Sequence, residues 1–444
     1  MKRADFVRLT AAALAAAPFA ALTARPRSRK VLVIGAGMAG AAAAHHLRAS
    51  GSEVVVIEAR SRPGGRIDTC HDWGFPIERG ANSIHDSRNP ENPLREMART
   101  LGVTTRPTSY FNLAVTDADN QPVGRLRVGR FYLRLLRELY RQGSALAGEA
   151  DRSLQEVFDQ ALRTQGWDPG DRLSELAAAS LMNNLAAPLS DASAQYYLSP
   201  AQPADSRDLL VTGGYVRLVE ALLEGVAVQY GQVARVVRDT GSRVVVETDT
   251  DVFEGDEVIV TVPLSLLQQG AIAFEPGLPA WKTASFQSMH MGAFNKVFLA
   301  LEEVFWPAGA HFLCYTEADR GAPIAVNYHH FADRPVLVAM PVAAAALEVE
   351  QMDEVALRRR WEQILRRAHP RAEIAIHKVM ATAWSGDPYA RGAYAHVPPG
   401  STPQERLALA APAGRIRFAG EATAGAYHST VHGAWLSGVR GAGR

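Results

Sequence analysis

The stretch VLVIGAGMAGAAAAHHLRASGSEVVVIEARSRPGGR, residues 31–66, decides how the rest of the chain is read. Residues 31–34 are apolar and largely β-branched, as in a strand buried on both faces, and they run directly into Gly35-Ala36-Gly37-Met38-Ala39-Gly40. The alanine-rich run to Arg48 predicts a helix with almost no bulk on its near side. Each glycine has its own task. Gly35 makes the tight turn, Gly37 lets the backbone approach a pyrophosphate, and Gly40 lets helix and strand pack closely, with the anion on the helix N-terminus. A second apolar strand over residues 54–57 ends in Glu58, 18 residues beyond Gly40. A carboxylate there accepts from ribose hydroxyls and disfavours a 2′-phosphate. A glycine pattern alone is weak, but strand, helix, second strand and terminal acid stand here in the order a dinucleotide clamp requires.

Directly after the second strand come Arg60 and the basic glycine loop Pro63-Gly64-Gly65-Arg66. NAD enzymes do not need such a loop. It suits an FAD held extended, whose pyrophosphate and flavin both lie inside the protein and use extra backbone donors and a guanidinium.

The 444 residues allow about three domain-sized units, or two interleaved ones. Hydrophobic residues at 47% and charged residues at 21% are ordinary globular values, and a formal net charge of +1 argues against nucleic acid or an acidic surface as partner. The two cysteines, Cys70 and Cys314, form no CxxC, so neither a disulfide framework nor a zinc site is expected. The 13 histidines include no HExxH, and no metal is expected; His45-His46 and His329-His330 read as surface or packing pairs. At the start, Lys2, Arg3 and Arg8 precede an Ala/Leu run over residues 9–24, broken by Pro18 and closing on Leu22-Thr23-Ala24, a small-residue cleavage site. This resembles a bacterial export signal, and more narrowly a twin-arginine signal whose second arginine is replaced by Ala4, a route that suits a protein folded around a cofactor before export. A periplasmic or secreted location is expected, with the cytoplasm as alternative. The run is too short and too weakly apolar for a stable membrane span.

Residues 71–84 carry short alternating apolar positions and close on RGANSIH (79–85), where a glycine-alanine pair at a strand end admits a flat ring. Helical apolar spacing over 94–101, 128–146, 154–165 and 173–185 predicts a helical insertion, whose stripe Phe131, Leu135, Leu139 reads as core. Residues 209–271 return to the pattern of the cofactor domain, with strand, turn and helix in LLVTGGYVRLVEALL, alternating strands around 233–237 and 243–248, and an apolar strand over 258–262 that rejoins the first sheet. A second departure has strands near 295–301 and 335–340 and a charged helix over 353–367. Last, a strand from Arg415 runs into Gly420-Glu421 and a Gly/Ala-rich helix over 430–440. The expected fold is α/β. A Rossmann-type parallel-sheet domain for FAD (28–95, 207–285 and 385–444) is interleaved with an α+β substrate-binding domain (96–206 and 286–384), after an export segment over 1–27.

EARSRPGGR, RGANSIH, TVPLSLL (261–267), Asn295-Lys296-Val297, Trp384 with Ala390-Arg391-Gly392-Ala393-Tyr394, and GEATAGAYHSTVHGAWLSGVRGA (420–442) resemble the flavin-dependent amine oxidase family. That family includes monoamine oxidases, polyamine oxidases and flavin-type histone lysine demethylases, and the likeness spans nearly all of the chain after residue 30. The resemblance implies Glu58 on the adenosine ribose, Arg60 and Arg66 at the diphosphate, Asn82 and Ser83 against the flavin by backbone contact, and the main chain of Val233 at the adenine. It also implies Gly420 and Glu421 near the ribityl-diphosphate part, and Thr430 and Val431 bordering the flavin, with their helix dipole toward the ring. The implied reaction moves hydride from the carbon next to an amine nitrogen to flavin N5; the imine is then hydrolysed and oxygen or an electron carrier reoxidises the flavin. Lys296 matches the family lysine that holds a water beside N5. Trp384 and Tyr394 match aromatic positions near the ring, and Tyr389 or Tyr427 would complete a cage that attracts an ammonium.

Two departures narrow the resemblance. Members that link FAD covalently use a cysteine shortly after the tryptophan, and Pro388 stands at that place, which implies non-covalent FAD. Amino-acid oxidases carry an arginine-bearing stretch where this chain has Asn82-Ser83-Ile84-His85, which lowers the case for an amino-acid substrate. Two rival readings remain: a flavin desaturase or porphyrinogen-type oxidase acting on C–C bonds, and a non-catalytic flavin-binding protein.

Overall fold

Five parallel strands carry the glycine clamp in the computed structural model, which describes residues 28–90, 92–115, 121–199, 208–315 and 324–443. Residues 1–27, expected to serve export, lie outside the described residues. Strand β1 (Lys30–Ile34) pairs with β2 (Glu53–Ile57), Ile34 opposite Ile57, and helix α1 (Met38–Ala49) crosses between them. Glu257–Val260 and then Ile416–Phe418 extend the sheet beyond β1, and Ala227–Gln229 extends it beyond β2. Neighbouring residues of β1 serve opposite layers. Val31 and Val33 pack on the alanines of α1 and on Leu218, Val219 and Leu222. Leu32 and Ile34 pack with Val237, Val244 and Val246 of a separate, mixed sheet. A strand covered on both faces has no polar side to alternate with, so its sequence is continuously apolar.

Ala41, Ala42, Ala43 and Ala44 are fully buried because the helix Val431–Gly441 lies almost in backbone contact with α1. A Cβ on Gly438 would stand 2.1 Å from the Ala39 carbonyl oxygen. Small residues on both helices set this distance, and a larger side chain would push them apart.

The second sheet has six strands in the order Ile376–Ala381, Val297–Leu301, Val336–Ala339, Ile324–Asn327, Phe312–Cys314, Leu113–Val115. Alternation again divides its faces. Phe298, Phe312, Val326 and Val338 meet the helices Arg125–Ser144, Leu154–Gln165 and Arg172–Leu185. Val297, Leu299, Leu337 and Ala339 meet Leu357, Trp361, Ile364 and Leu365 of the helix Glu354–Ala368. The predicted helices are present, and the stripe Phe131, Leu135, Leu139 is core as expected.

The strands expected around 233–237 and 243–248 are present, outside the parallel sheet. They are Ala234–Asp239 and Val244–Thr248, the inner pair of a four-stranded sheet with Val252–Gly255 and Ala273–Glu275. Their polar face carries the ion pairs Arg238–Glu247 and Arg238–Glu275, which need solvent, and a parallel sheet sandwiched between layers offers none. The apolar strand Glu257–Val260 does rejoin the first sheet, beside β1.

Candidate active site

The glycine turn opens into a cavity of about 1340 Å³ that reaches from the clamp to the helices of the second sheet. Ligand pockets commonly measure about 300–1,000 Å³, so this one has room for a dinucleotide and a second molecule. At the clamp, Gly35 adopts φ +106° while its N–H donates to Ile57 O at 2.8 Å. A Cβ at Gly40 would lie 1.9 Å from Gly35 O, so close packing by protein alone requires glycine there. Gly37 differs: a Cβ would meet nothing nearer than Gly64 O at 3.7 Å, and the residue lines the cavity. Gly37 is also the N-cap of α1, where no side chain caps the helix and no acid occupies the first turn. The first N–H groups of α1 therefore remain for an anion, as a bound pyrophosphate needs.

Glu58 is buried at the end of β2, its two oxygens accepting from Ala36 N at 2.6 Å and Arg60 N at 2.8 Å. Burial raises its pKa, and those two amides and the Arg60 charge oppose the rise. Gly64 N donates to Ala36 O, which seals the PGGR loop onto the glycine turn. Val233, Gly65, Asn82, Ser83, Gly420, Thr430 and Val431 all line the same cavity. Thr430 caps the helix Val431–Gly441 by accepting from Gly433 N.

Three of the expected cofactor contacts have protein partners of their own. Arg60, expected at the diphosphate, donates to both carboxylate oxygens of Asp387 at 2.9 and 2.6 Å. Arg66 Nη1 donates to Ala393 O and to Glu421 Oε1 at 2.9 Å, so two residues assigned separately form one ion pair on the cavity wall.

Across the cavity, Lys296 is 3% exposed and donates from Nζ to Glu78 O at 2.9 Å and Gly80 O at 2.5 Å. An ammonium has three N–H donors, which leaves one toward the cavity that Lys296 lines. Burial lowers its pKa from 10.5 to about 7, with Glu78 pulling the other way. Trp384 stands beside it: its indole Nε1 donates to Arg79 O at 3.2 Å, and a Cβ on Gly80 would come within 3.2 Å of its ring. Tyr394 donates to Asn183 O and packs its ring on Phe294, 5.8 Å between centroids. Both aromatic side chains are thus pinned by carbonyls, and both line the cavity that Lys296 lines.

Residues 38–444 match the family described as flavin containing amine oxidoreductase. The chain belongs to that family. It is 30% identical over 438 residues to polyamine oxidase 2 of Arabidopsis thaliana, covering 94% of this chain and 88% of that one. It is 30% identical to polyamine oxidase 3 of Oryza sativa subsp. japonica, over 93% of this chain and 88% of that protein. It is also 32% identical to lysine-specific histone demethylase 1 homolog 2 of Arabidopsis thaliana, over 93% of this chain and 58% of that one. The protein is accordingly a flavin-containing amine oxidase that uses FAD.

Within this amine oxidase, the clamp residues fit FAD, while one expected role is corrected. Tyr389 does not join Tyr394 in a cage; the Arg60 guanidinium lies over its ring at 5.3 Å, and its N–H is tied to Asp387, which places it at the clamp end. Tyr427 borders the cavity, its hydroxyl accepting from Asn89 Nδ2 and its ring at 5.0 Å from His432.

Sequence reasoning misses Asn295 as a hub and Asp208 altogether. Asn295 Oδ1 accepts from Trp384 N and Thr382 Oγ1, and its Nδ2 donates to Glu350 Oε1, so it fixes Trp384 and the Lys296 backbone together. Asp208 accepts from His85 Nδ1 and from Tyr110 Oη, each at 2.8 Å. Burial works against the His85 cation, but Asp208 outweighs it and raises the histidine pKa. The alternating pattern around RGANSIH gives no sign of a partner more than a hundred residues away.

Proposed function

We propose that the enzyme oxidises an amine with an apolar body, removing hydride from the carbon next to nitrogen in the slot between Lys296, Trp384 and Tyr394. FAD bound at the clamp supplies the hydride acceptor, and oxygen or an electron carrier restores it. The observation that carries this reading is Lys296, sealed under two carbonyls with one donor facing a slot walled by pinned aromatics. Those walls exclude water, which favours the neutral amine that can give up hydride, and they hold its carbon in one plane. Lys296 keeps a donor where negative charge develops. Residues 28–95, 207–285 and 385–444, with the Rossmann-type turn, hold the cofactor, and residues 96–206 and 286–384 the substrate.

The apolar body follows from the far wall, formed by Val128, Leu135, Leu139, Phe312, Ile324 and Val326. A polyamine needs carboxylates spaced along its length. Among the described residues this end of the cavity has Asp86 and Asp208, and Asp208 already holds His85 and Tyr110. The sequence of residues 1–24 supports an exported enzyme.

An anaerobic amine panel tests the reaction. Benzylic or long alkyl monoamines should bleach the yellow protein faster than spermine or spermidine. Faster bleaching by the polyamines would overturn the substrate class alone. Bleaching by a polyene or porphyrinogen, and by no amine, would overturn the reaction.

A further inference from the structure

The helix Arg125–Ser144 forms one side of the cavity mouth, and its outer face is unusual for a surface in water. Leu126, Leu133, Leu136 and Tyr140 fall on one stripe, spaced by seven, three and four residues. Leu126 is 78% and Leu133 64% exposed, and Phe111, 60% exposed, lines the cavity together with Leu136 and Tyr140 of the stripe. Beside this stripe Arg125, Arg127, Arg130, Arg134 and Arg137 are exposed, and they form no ion pair among the described residues. Arg141 is different: it is held by Glu138, the helix's one acid, which points inward and is buried. The net charge of +1 hides this concentration because carboxylates elsewhere cancel it.

We propose that this face rests on an anionic lipid bilayer, so that the cavity opens toward the membrane and an amphiphilic amine enters from it. Leucines beside unneutralised arginines suit an interface that is apolar below and anionic at headgroup level. A second copy of the chain suits it less, because a two-fold contact would set the same arginines against each other. No described helix is long and apolar enough to cross a membrane, so the contact is peripheral. Tyr110, Phe111, Leu136 and Tyr140 line the cavity as well as its rim, which ties docking to substrate entry. The docking does not depend on which amine is oxidised.

Cosedimentation of the FAD-loaded full chain with vesicles tests this. Phosphatidylglycerol vesicles at low ionic strength should carry the enzyme down, phosphatidylcholine vesicles should not, and salt should release it. Arg130→Ala and Arg134→Ala should each weaken partition about fivefold. Leu126→Glu with Leu133→Glu should abolish it while flavin absorbance and turnover of a short soluble amine stay unchanged, since none of these four side chains lines the cavity. Equal binding to both vesicles, or none to phosphatidylglycerol, overturns the proposal. So does self-association that the two glutamates abolish in a chain that ignores vesicles, which would make the face a contact between copies, and so does selective capture by an acidic protein without lipid binding.

Discussion

Replacing Lys296 with methionine separates its chemical role from its structural one. The change leaves Glu78 O and Gly80 O without their donor, at about 1–3 kcal/mol for each unsatisfied group. Against that, a pKa drawn from 10.5 to about 7 is a penalty on holding a charge there. At about 1.4 kcal/mol per pH unit it is on the order of 5 kcal/mol below neutrality. The two effects oppose each other and are similar in size, so Lys296→Met should fold with stability within roughly 2 kcal/mol of the parent and keep its FAD. What it loses is a positive group at the reacting end of the cavity. Flavin reduction by amine, reoxidation by oxygen, or both should slow at least about tenfold, equivalent to roughly 1.4 kcal/mol of barrier. The ammonium is present below about pH 7 and lost above it, and negative charge arriving opposite shifts that step upward. The Lys296-dependent part of the rate should therefore fall as pH rises through that step, and the variant should lack it. Stopped-flow measurement of both half-reactions across pH is the assay. Two unchanged rates with an unchanged pH profile would refute the reasoning.

Acid precipitation should release the yellow colour into the supernatant, since Pro388 occupies the linking position; colour in the pellet would reveal an attachment elsewhere. Glu58→Ala should lower FAD affinity about ten- to a hundredfold, the worth of one charge-assisted hydrogen bond, with little change in amine preference. Titration of the apoprotein with FAD measures it, and normal affinity would contradict the clamp. Lys282 is fully buried with three carbonyl partners, and burial brings its pKa from 10.5 to about 7. Between those values the unfolded chain holds a proton that the folded chain does not, so stability should rise with pH across that window. Lys282→Met should flatten the rise in urea midpoint between about pH 7 and about pH 10, and an unflattened rise would mean the lysine stays charged.

The clamp is legible in the sequence because every requirement on it is local. Gly35 must turn, Gly40 must touch Gly35, and the strands beside them are buried on both faces, so the constraints fall on adjacent residues. The antiparallel hairpin is legible as two half-buried strands, because periodicity reports that one face is wet, but not which sheet those strands join. Lys296 can be picked out by its neighbours in sequence, but its confinement depends on Glu78 and Gly80, which the fold alone brings there. Asp208 carries no local mark at all, and Asn295 is marked only as the neighbour of Lys296, since their importance lies in partners such as His85 and Glu350. Tyr389 misleads for the same reason: adjacency to Trp384 in sequence says nothing of Arg60 and Asp387.

The parallel sheet sets a timetable for synthesis. Its strand order places Glu257–Val260 between β1 and Ile416–Phe418, and α1 finds its tightest neighbour in Val431–Gly441. While the ribosome is still short of those last elements, α1 lacks the helix that packs tightest against its alanines, and Glu421 is missing from its pair with Arg66. The nascent chain must therefore carry part of its apolar cofactor domain uncovered until its last thirty or so residues are made.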